Sequence, residues 1–141
     1  MIIRKAKDED FQKLLKIDYG AWHKNYTGIL DYFDGTETPQ KSVMWDKKHY
    51  KTGKLSIFLA ERKKEILGYV VLFRHNDKVW LYDILIKKEH QNKGIGTALM
   101  NYICKNKKIL LTVNDKNKKG IGFFKRFGFK PLLKDVLMIK S

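Results

Sequence analysis

The chain has 141 residues, 43% of them hydrophobic, a size that suits one domain built around a single core. No apolar stretch approaches the roughly 18 residues that a membrane span requires. A single cysteine, Cys104, excludes an internal disulfide and a multi-cysteine metal site. The net charge of +15 rests mainly on lysine, since only four of the 30 basic residues are arginines.

Base readout and tight phosphate binding favour the planar guanidinium of arginine. Lysines spread along the whole chain therefore indicate a solvated surface first, attraction of an anionic ligand second, and a nucleic-acid site last. The first ten residues, MIIRKAKDED, contain no apolar run followed by a small-residue cleavage site, so we expect no signal peptide. We expect a cytoplasmic protein without a membrane partner, either a monomer or a homodimer.

The first elements in chain order are a short strand, Ile2 to Ala6, and a helix that Asp8 or Asp10 would cap. Apolar side chains recur in this helix at helical spacing: Phe11, Leu14, Leu15, Ala21 and Trp22. Glycines and a proline interrupt the pattern between residues 27 and 53, where KSVMWDKKHY is a candidate second helix.

Three strands follow in close order: Leu55 to Arg62, Ile66 to Phe73 and Lys78 to Ile86. They are rich in β-branched and aromatic side chains, which suit a pleated surface. A short turn near Lys63 and Lys64 predicts that the first two form a hairpin, and residues 75–77 form the next turn.

The pattern then changes to helix, with Ile95, Ala98, Leu99, Tyr102 and Ile103 on one face. An apolar strand, Lys108 to Val113, comes next. A strand, a helix and a strand in this order predict a right-handed parallel crossover, with the last strand central in the sheet.

A last helix spans Asn117 to Phe127, with Gly128 as its left-handed C-terminal stop, and Pro131 to Lys140 reads as a closing strand. The predicted fold is α/β (α+β), a single domain over residues 1–141. Its mixed central sheet is antiparallel in the N-terminal strands and parallel in the middle, with about four flanking helices.

The tetrapeptide Lys-Gly-Ile-Gly occurs twice, at residues 93–96 and 119–122. The first copy lies between a strand and a helix, where Gly94 and Gly96 would let backbone N–H groups converge at a helix N-terminus. Free N–H donors and the helix dipole favour a phosphate there. The second copy lies inside a helical pattern, where each glycine costs roughly 1 kcal/mol relative to alanine. We interpret the first copy as a ligand site and the second as close packing under the sheet.

Two other phosphate motifs do not match the first copy. No Gly-Lys-Ser/Thr follows at the spacing of a Walker A loop. The third glycine of a dinucleotide fingerprint is missing, as is an acidic residue at the expected distance. The motif alone leaves an ordinary glycine turn before a helix as the alternative.

The chain resembles the GCN5-related N-acetyltransferase (GNAT) superfamily in three motifs. Gln91, Gly94 and Gly96 match its Gln/Arg-x-x-Gly-x-Gly/Ala loop, and Leu81 to Ile86 is similar to its fourth strand. Its Asn-x-x-Ala-x-x-Phe-Tyr-x-x-x-Gly-Phe signature resembles a set of six residues: Asn117, Gly120, Phe123, Phe124, Gly128 and Phe129. The order of strands and helices agrees from residue 2 to residue 140.

The resemblance implies an N-acetyltransferase that uses acetyl-CoA as cosubstrate and needs no metal. The pyrophosphate would lie on the backbone N–H groups of Gln91, Asn92, Lys93, Gly94, Ile95, Gly96 and Thr97. Pantetheine would lie between splayed fourth and fifth strands and pair with the fourth at Ile84, Leu85 and Ile86. The backbone N–H of Ile86 or its neighbour would stabilise the oxyanion. Asn117 and Phe124 would also contact the cofactor.

The implied reaction is direct attack of an amine on the thioester, which requires a neutral amine and therefore a base. Asp83 is the first candidate, either as base or as anchor for a cationic amine. The other alternative is a solvated or ion-paired strand carboxylate. Glu61 and Glu65 are weaker candidates for the base. The acceptor would be a small-molecule or peptide amine, in a pocket shaped by Trp22, Tyr26 and Tyr32.

One position departs from the family pattern. Many members have a tyrosine, proposed as general acid, where this chain has Phe124. Water, Tyr82 or Tyr102 would then protonate the thiolate, or the thiolate would leave unassisted. The departure also supports an alternative function, a catalytically weak acyl-CoA-binding or sensing domain. Cys104 is expected to be buried or inert.

Overall fold

A computed structural model describes residues 1–14, 16–17, 53–75, 77–105, 107–111, 113 and 116–132. The chain divides into two compact units, Met1–Leu111 and Thr112–Ser141. A single domain over the whole chain stays a prediction.

The described part of the first unit contains a five-stranded sheet whose strands follow one another in chain order. They are β1 (Ile2–Lys5), β2 (Leu55–Arg62), β3 (Glu65–His75), β4 (Lys78–Ile86) and β5 (Ile109–Leu110). The first four pair antiparallel, and β5 pairs parallel with β4. The predicted mixed sheet is therefore confirmed, with strand limits close to the predicted ones except at β5. Among the described strands β5 lies at the edge of the sheet and not in the predicted central position.

The hairpin between β2 and β3 turns at Lys63 and Lys64, whose φ angles are +50° and +66°. Two consecutive residues with positive φ match the right-handed twist of the flanking strands, which favours such turns in hairpins. The predicted hairpin is confirmed.

Asp10 lies directly before the first helical segment, which comprises residues 11–14 and 16–17. A 3-10 turn, Asp8–Asp10, precedes this segment, with Lys7 as its N-cap residue. Asp10 Oδ2 accepts a hydrogen bond of 2.7 Å from the Lys7 backbone N–H. Capping of the following helix by Asp8 or Asp10 stays a prediction. Leu15, Ala21, Trp22 and the candidate helix KSVMWDKKHY lie outside the described residues.

The helix α1 (Ile95–Cys104) packs against β2, β3 and β4. Its buried residues are Ile95, Leu99, Met100 and Ile103. Ile95, Leu99 and Ile103 of the predicted face are confirmed as buried. The edges of the face differ, since Met100 is buried, Ala98 is half-buried and Tyr102 is 45% exposed. The Tyr102 ring lies at the rim of this contact, 5.4 Å from the ring of Phe58.

The opposite face of the sheet carries the main core cluster, which includes Phe11 and Leu14 from the first helical segment. Its strand members are Leu55, Ile57, Leu59, Ile66, Tyr69 and Val71. Burial of an aliphatic or aromatic side chain stabilises the fold by roughly 1.5–3 kcal/mol. These side chains therefore hold the strands that carry the candidate site.

The second unit contains α2 (Lys118–Lys125), which is capped at both ends. The Asn117 side chain caps its start. At its end Gly128 has φ +88°, and the backbone N–H groups of Gly128 and Phe129 donate to Lys125 O and Phe124 O. This is a Schellman motif, so the predicted stop at Gly128 is confirmed. Residues 131–132 are not a strand, and the rest of the predicted closing strand lies outside the described residues.

Candidate active site

The sheet opens between β4 and β5. Within the described ranges these strands pair only at Val79 with Ile109 and at Trp80 with Leu110, although β4 continues to Ile86. Among the described residues, no strand pairs with the rest of β4 on this edge. The register of β3 against β4 also shifts between Val71 and Leu72, which leaves Tyr82 as an extra residue in β4. Such a bulge bends a strand and increases its twist, which favours separation from a neighbour.

The backbone groups of Ile84 and Ile86 face this open edge. The N–H of Lys87 donates to Leu67 O at 3.0 Å, so these residues form a hydrogen-bonded pair at the end of the ladder. Hydrogen-bonded and non-hydrogen-bonded pairs alternate along antiparallel strands. The pairs of Ile86 with Gly68 and of Ile84 with Val70 are therefore non-hydrogen-bonded, and their N–H and C=O groups point away from β3.

Leu85 differs from its two neighbours in this respect. Its backbone groups belong to the hydrogen-bonded pair with Tyr69 and point toward β3. Ile84, but not Leu85, therefore presents a donor and an acceptor to the gap. Ile86 presents its N–H, because its carbonyl oxygen accepts from Gln91 Nε2. A ligand with an extended amide chain could pair with β4 at these two residues.

The loop after β4 is tied to the strand through Gln91. The Gln91 side-chain amide donates from Nε2 to Ile86 O at 3.0 Å. Asn92 and Gly94 both have left-handed backbone conformations, with φ of +62° and +82°. Gly94 is the N-cap residue of α1, so the loop and the helix N-terminus lie next to the end of β4.

The N-terminus of α1 has free capacity for an anion. Its first intrahelical bond runs from the Ala98 N–H to Gly94 O, so the N–H groups of Ile95, Gly96 and Thr97 precede the ladder. The cap residue has no side chain, and the first turn contains no acidic residue. Lys93 is exposed at the rim of the loop. These features fit a phosphate, because N–H donors, helix dipole and a cation act in one place.

Asp83 lies on the sheet face of the main core cluster, opposite to α1. It pairs with Val71 in the ladder, and both strands place these side chains on the face of buried Tyr69. Asp83 is half-buried, and Tyr69 donates from its hydroxyl to Asp83 Oδ2 at 3.5 Å. The carboxylate is therefore next to the open stretch of β4 but on the face away from the helix.

The weaker candidates for a base are engaged elsewhere. Glu61 Oε2 accepts from Arg4 Nε at 2.7 Å, and the same arginine bonds Asp10. Glu65 Oε1 lies 3.0 Å from His90 Nε2, and this hydrogen bond is the main cause that lowers the pKa of Glu65. A lowered pKa makes a carboxylate a weaker proton acceptor, which agrees with Glu65 as a weaker candidate for the base.

The fold also brings together donor atoms of Glu65, Glu89 and His90, all within 4.8 Å of one another. The sequence spacing of the histidines does not indicate this group, because Glu65 comes from the β2–β3 hairpin. Lys87 Nζ lies 3.8 Å from Glu65 Oε1 and supplies a positive charge to the same carboxylate. The absence of a metal stays a prediction.

In the second unit, the Asn117 side chain accepts the Gly120 N–H at Oδ1, 2.9 Å away. A Cβ atom on Gly120 would lie 2.6 Å from Asn117 Nδ2, whereas one on Gly122 would meet nothing within 4 Å among the described residues. Gly120 therefore makes room for the helix cap, and the close packing of Gly122 under the sheet stays a prediction. Phe124 is half-buried and contacts the rings of Phe123 and Phe129 edge-on, at 5.3 and 5.8 Å.

The two tyrosines considered as proton donors are exposed, Tyr82 by 48% and Tyr102 by 45%. Cys104 is half-buried, and this burial raises the pKa of its thiol, which disfavours the reactive thiolate as expected. The pocket residues Trp22, Tyr26 and Tyr32 lie outside the described residues. None of the helices in the described ranges is long and apolar enough to cross a bilayer.

Comparisons with known proteins agree with this architecture. A family model for the acetyltransferase (GNAT) domain matches residues 53–131, more than half of the chain. The chain therefore belongs to the GNAT acetyltransferase family.

Similar proteins include the probable N-acetyltransferase Rv2775 of Mycobacterium tuberculosis, 28% identical over 139 residues that cover 90% of this chain and 78% of the relative. A solved structure of a probable acetyltransferase aligns with a TM-score of 0.75 at 18% identity, covering 100% of this chain and 99% of its own. The PaiA N-acetyltransferase of Thermoplasma acidophilum, solved in complex with coenzyme A, aligns with a TM-score of 0.71 at 23% identity, covering 92% and 89%. These likenesses confirm the predicted GNAT-like fold.

Proposed function

We propose that this protein is an N-acetyltransferase that transfers the acetyl group of acetyl-CoA to an amine by direct attack on the thioester. The observation that carries the proposal is the open edge of β4, where Ile84 and Ile86 present backbone groups beside an uncapped helix N-terminus. A molecule that combines a diphosphate with an extended amide chain and a thioester fits both features. The coenzyme A complex of the PaiA relative supports this assignment.

In this proposal the N–H groups from Gln91 to Thr97 bind the pyrophosphate, and Ile84 pairs with the amides of pantetheine. The Ile86 N–H points into the gap, where it would donate to the thioester carbonyl oxygen. Preorganised donors of this kind stabilise negative charge as it develops, and loss of one such donor typically costs about 10²–10³ in rate. Leu85 contributes by fixing the strand, since its backbone faces β3.

Asp83 accepts the proton of the attacking amine in this proposal. A primary amine with a pKa of about 10 is almost entirely protonated at neutral pH and must lose a proton before it can attack. Asp83 lies on the open stretch of β4, on the face away from α1, so an amine that approached from this face would meet it. As an anchor for the cationic amine, Asp83 would instead affect the KM of the amine and not kcat.

Phe124 cannot donate a proton to the leaving thiolate. We propose that the thiolate leaves unassisted or takes a proton from water. A thiol with a pKa of about 8.5 gives a thiolate that is a good leaving group. The packing of the Phe124 ring against Phe123 and Phe129 supports a structural role for this side chain. Asn117 is engaged by its cap, so a role toward the cofactor would have to be shared with that bond. A cytoplasmic location remains part of the proposal.

The test uses purified protein with acetyl-CoA and a broad panel of small-molecule and peptide amines, with thiol release as the readout. We expect amine-dependent release well above the rate of hydrolysis, and thermal stabilisation by coenzyme A. Stabilisation without turnover across the panel would instead assign the alternative, an acyl-CoA-binding or sensing domain. The absence of any response to coenzyme A would contradict both.

A further inference from the structure

The peptide bond between Ile86 and Lys87 is held from both sides. Its carbonyl oxygen, Ile86 O, accepts a hydrogen bond from Gln91 Nε2 at 3.0 Å. Its N–H, on Lys87, donates to Leu67 O at 3.0 Å. One bond comes from the loop before α1 and the other from β3, so this single peptide joins the loop, β4 and β3.

We propose that Gln91 is a positioning residue that orients Ile86 through this bond. The inference rests on the proposed function, in which the Ile86 N–H faces the reacting carbonyl. Leu85 on one side is held by β3, and the peptide after Ile86 is held by Leu67 and Gln91. With both neighbouring peptides fixed, the N–H of Ile86 keeps one direction toward the open edge.

Without Gln91, the last residue of β4 would depend on β3 alone. A strand terminus without a partner on one edge is a place where local fraying begins. The open edge is required for a cofactor to enter, so another strand cannot supply the missing bond. A side chain from the following loop is the device that the structure offers instead, and the same loop is proposed to bind the pyrophosphate.

The Gln91 side chain is suited to a test because it is exposed and does not belong to the core. Gln91→Met keeps the length of the side chain and removes the donor without adding a charge. The matched control is Lys88→Met, which also replaces an exposed polar side chain by methionine and lies three residues earlier. The two thioesters to compare are acetyl-CoA and S-acetylpantetheine, which lacks the pyrophosphate.

We expect Gln91→Met to lower kcat at least tenfold with both thioesters, since small displacements of a reacting group have large effects on rate. The dissociation constant of coenzyme A, measured by calorimetry, should change less than threefold, because main-chain N–H groups bind the pyrophosphate. Weaker coenzyme A binding with unchanged kcat, and no effect on S-acetylpantetheine, would mean that Gln91 only shapes the loop. That result, or no change in either quantity, overturns the proposal.

A second measurement separates this proposal from the proposed function. In the cofactor-free protein, we expect Gln91→Met to shift the backbone amide resonances of Lys87 and Ile86, because the bond to Ile86 O is lost, whereas Lys88→Met should leave Ile86 in place. If the wild-type protein transfers no acetyl group to any amine, the proposed function fails while this measurement still applies. Unchanged Lys87 and Ile86 resonances would overturn the role of Gln91 whatever the activity.

Discussion

Gly68 lies directly opposite Ile86 in the ladder between β3 and β4, with no room for a side chain. A Cβ atom on Gly68 would be 2.7 Å from Ile86 Cδ1 and 2.7 Å from Leu85 O. Side chains of a non-hydrogen-bonded pair are the closest in an antiparallel sheet, which explains the crowding at this point. The absence of a Cβ atom therefore lets β3 approach the residue that is proposed to bind the thioester carbonyl.

Gly68→Ala should displace Ile86 and lower both stability and activity. Overpacking of this kind typically costs about 1–3 kcal/mol, which urea denaturation would measure. We expect kcat to fall at least tenfold, roughly the effect of a misplaced reacting group. Gly122→Ala is the matched control, since its Cβ atom meets nothing within 4 Å among the described residues and should stabilise α2 by about 1 kcal/mol. Wild-type kcat in Gly68→Ala would show that Ile86 tolerates the shift.

A structural feature could be predicted from the sequence when its signal comes from residues that are neighbours in the chain. The strands β2 and β4 were predicted with the observed limits because β-branched and aromatic side chains and short turns are signals from neighbouring residues. The stop at Gly128 is equally local. The family resemblance implied that the fourth and fifth strands splay, but the apolar pattern of Lys108 to Val113 does not indicate at which residue they separate.

Long-range contacts at the site could not be predicted, because they join residues that are far apart in the sequence. The bond from Gln91 to Ile86 O depends on the loop path, and the group of Glu65, Glu89 and His90 depends on the hairpin lying beside the loop. Gly68 did carry a signal, because a glycine inside a strand pattern indicates a bulge or a close approach of another backbone. That signal alone could not identify Ile86 as its neighbour.

The two Lys-Gly-Ile-Gly copies should respond differently to the same substitution. Gly96→Val places a β-branched side chain in the first turn of α1, where the backbone is proposed to approach the pyrophosphate, and should abolish coenzyme A binding. Gly122→Val should leave the affinity unchanged. Calorimetry with coenzyme A is the measurement, after thermal melting has shown that both variants fold. Equal affinities would mean that the two copies were assigned wrongly.

The ion pair between Arg4 and Asp10 should make stability depend on pH. Asp10 is 3% exposed, and the hydrogen bond from Arg4 holds its pKa below the ordinary value of 3.8. A lowered pKa stabilises the fold at pH values above the ordinary one, and this contribution is lost as pH falls through the folded pKa. Asp10→Asn should therefore cost about 2 kcal/mol at pH 7, discounted because Arg4 is partly exposed, and progressively less below about pH 4.

Urea denaturation at pH 7 and pH 3 measures this difference, and Asp8→Asn, at an exposed neighbouring position, is the control. The control should match the wild type at both pH values. A constant difference between Asp10→Asn and the wild type across this range would show that the charge of Asp10 does not contribute.

Asp83→Asn distinguishes the two roles proposed for this carboxylate. We expect kcat at pH 7 to fall about 10²–10⁴-fold, the usual contribution of a general base, with a smaller change in the KM of the amine. The loss should diminish as pH approaches the pKa of the amine, because a neutral amine needs no base. Asp77→Asn, the same substitution at the exposed turn before β4, should retain wild-type kinetics. A raised KM confined to cationic amines, with kcat preserved, would instead make Asp83 the anchor of the substrate, since the amide has lost the charge but kept the shape.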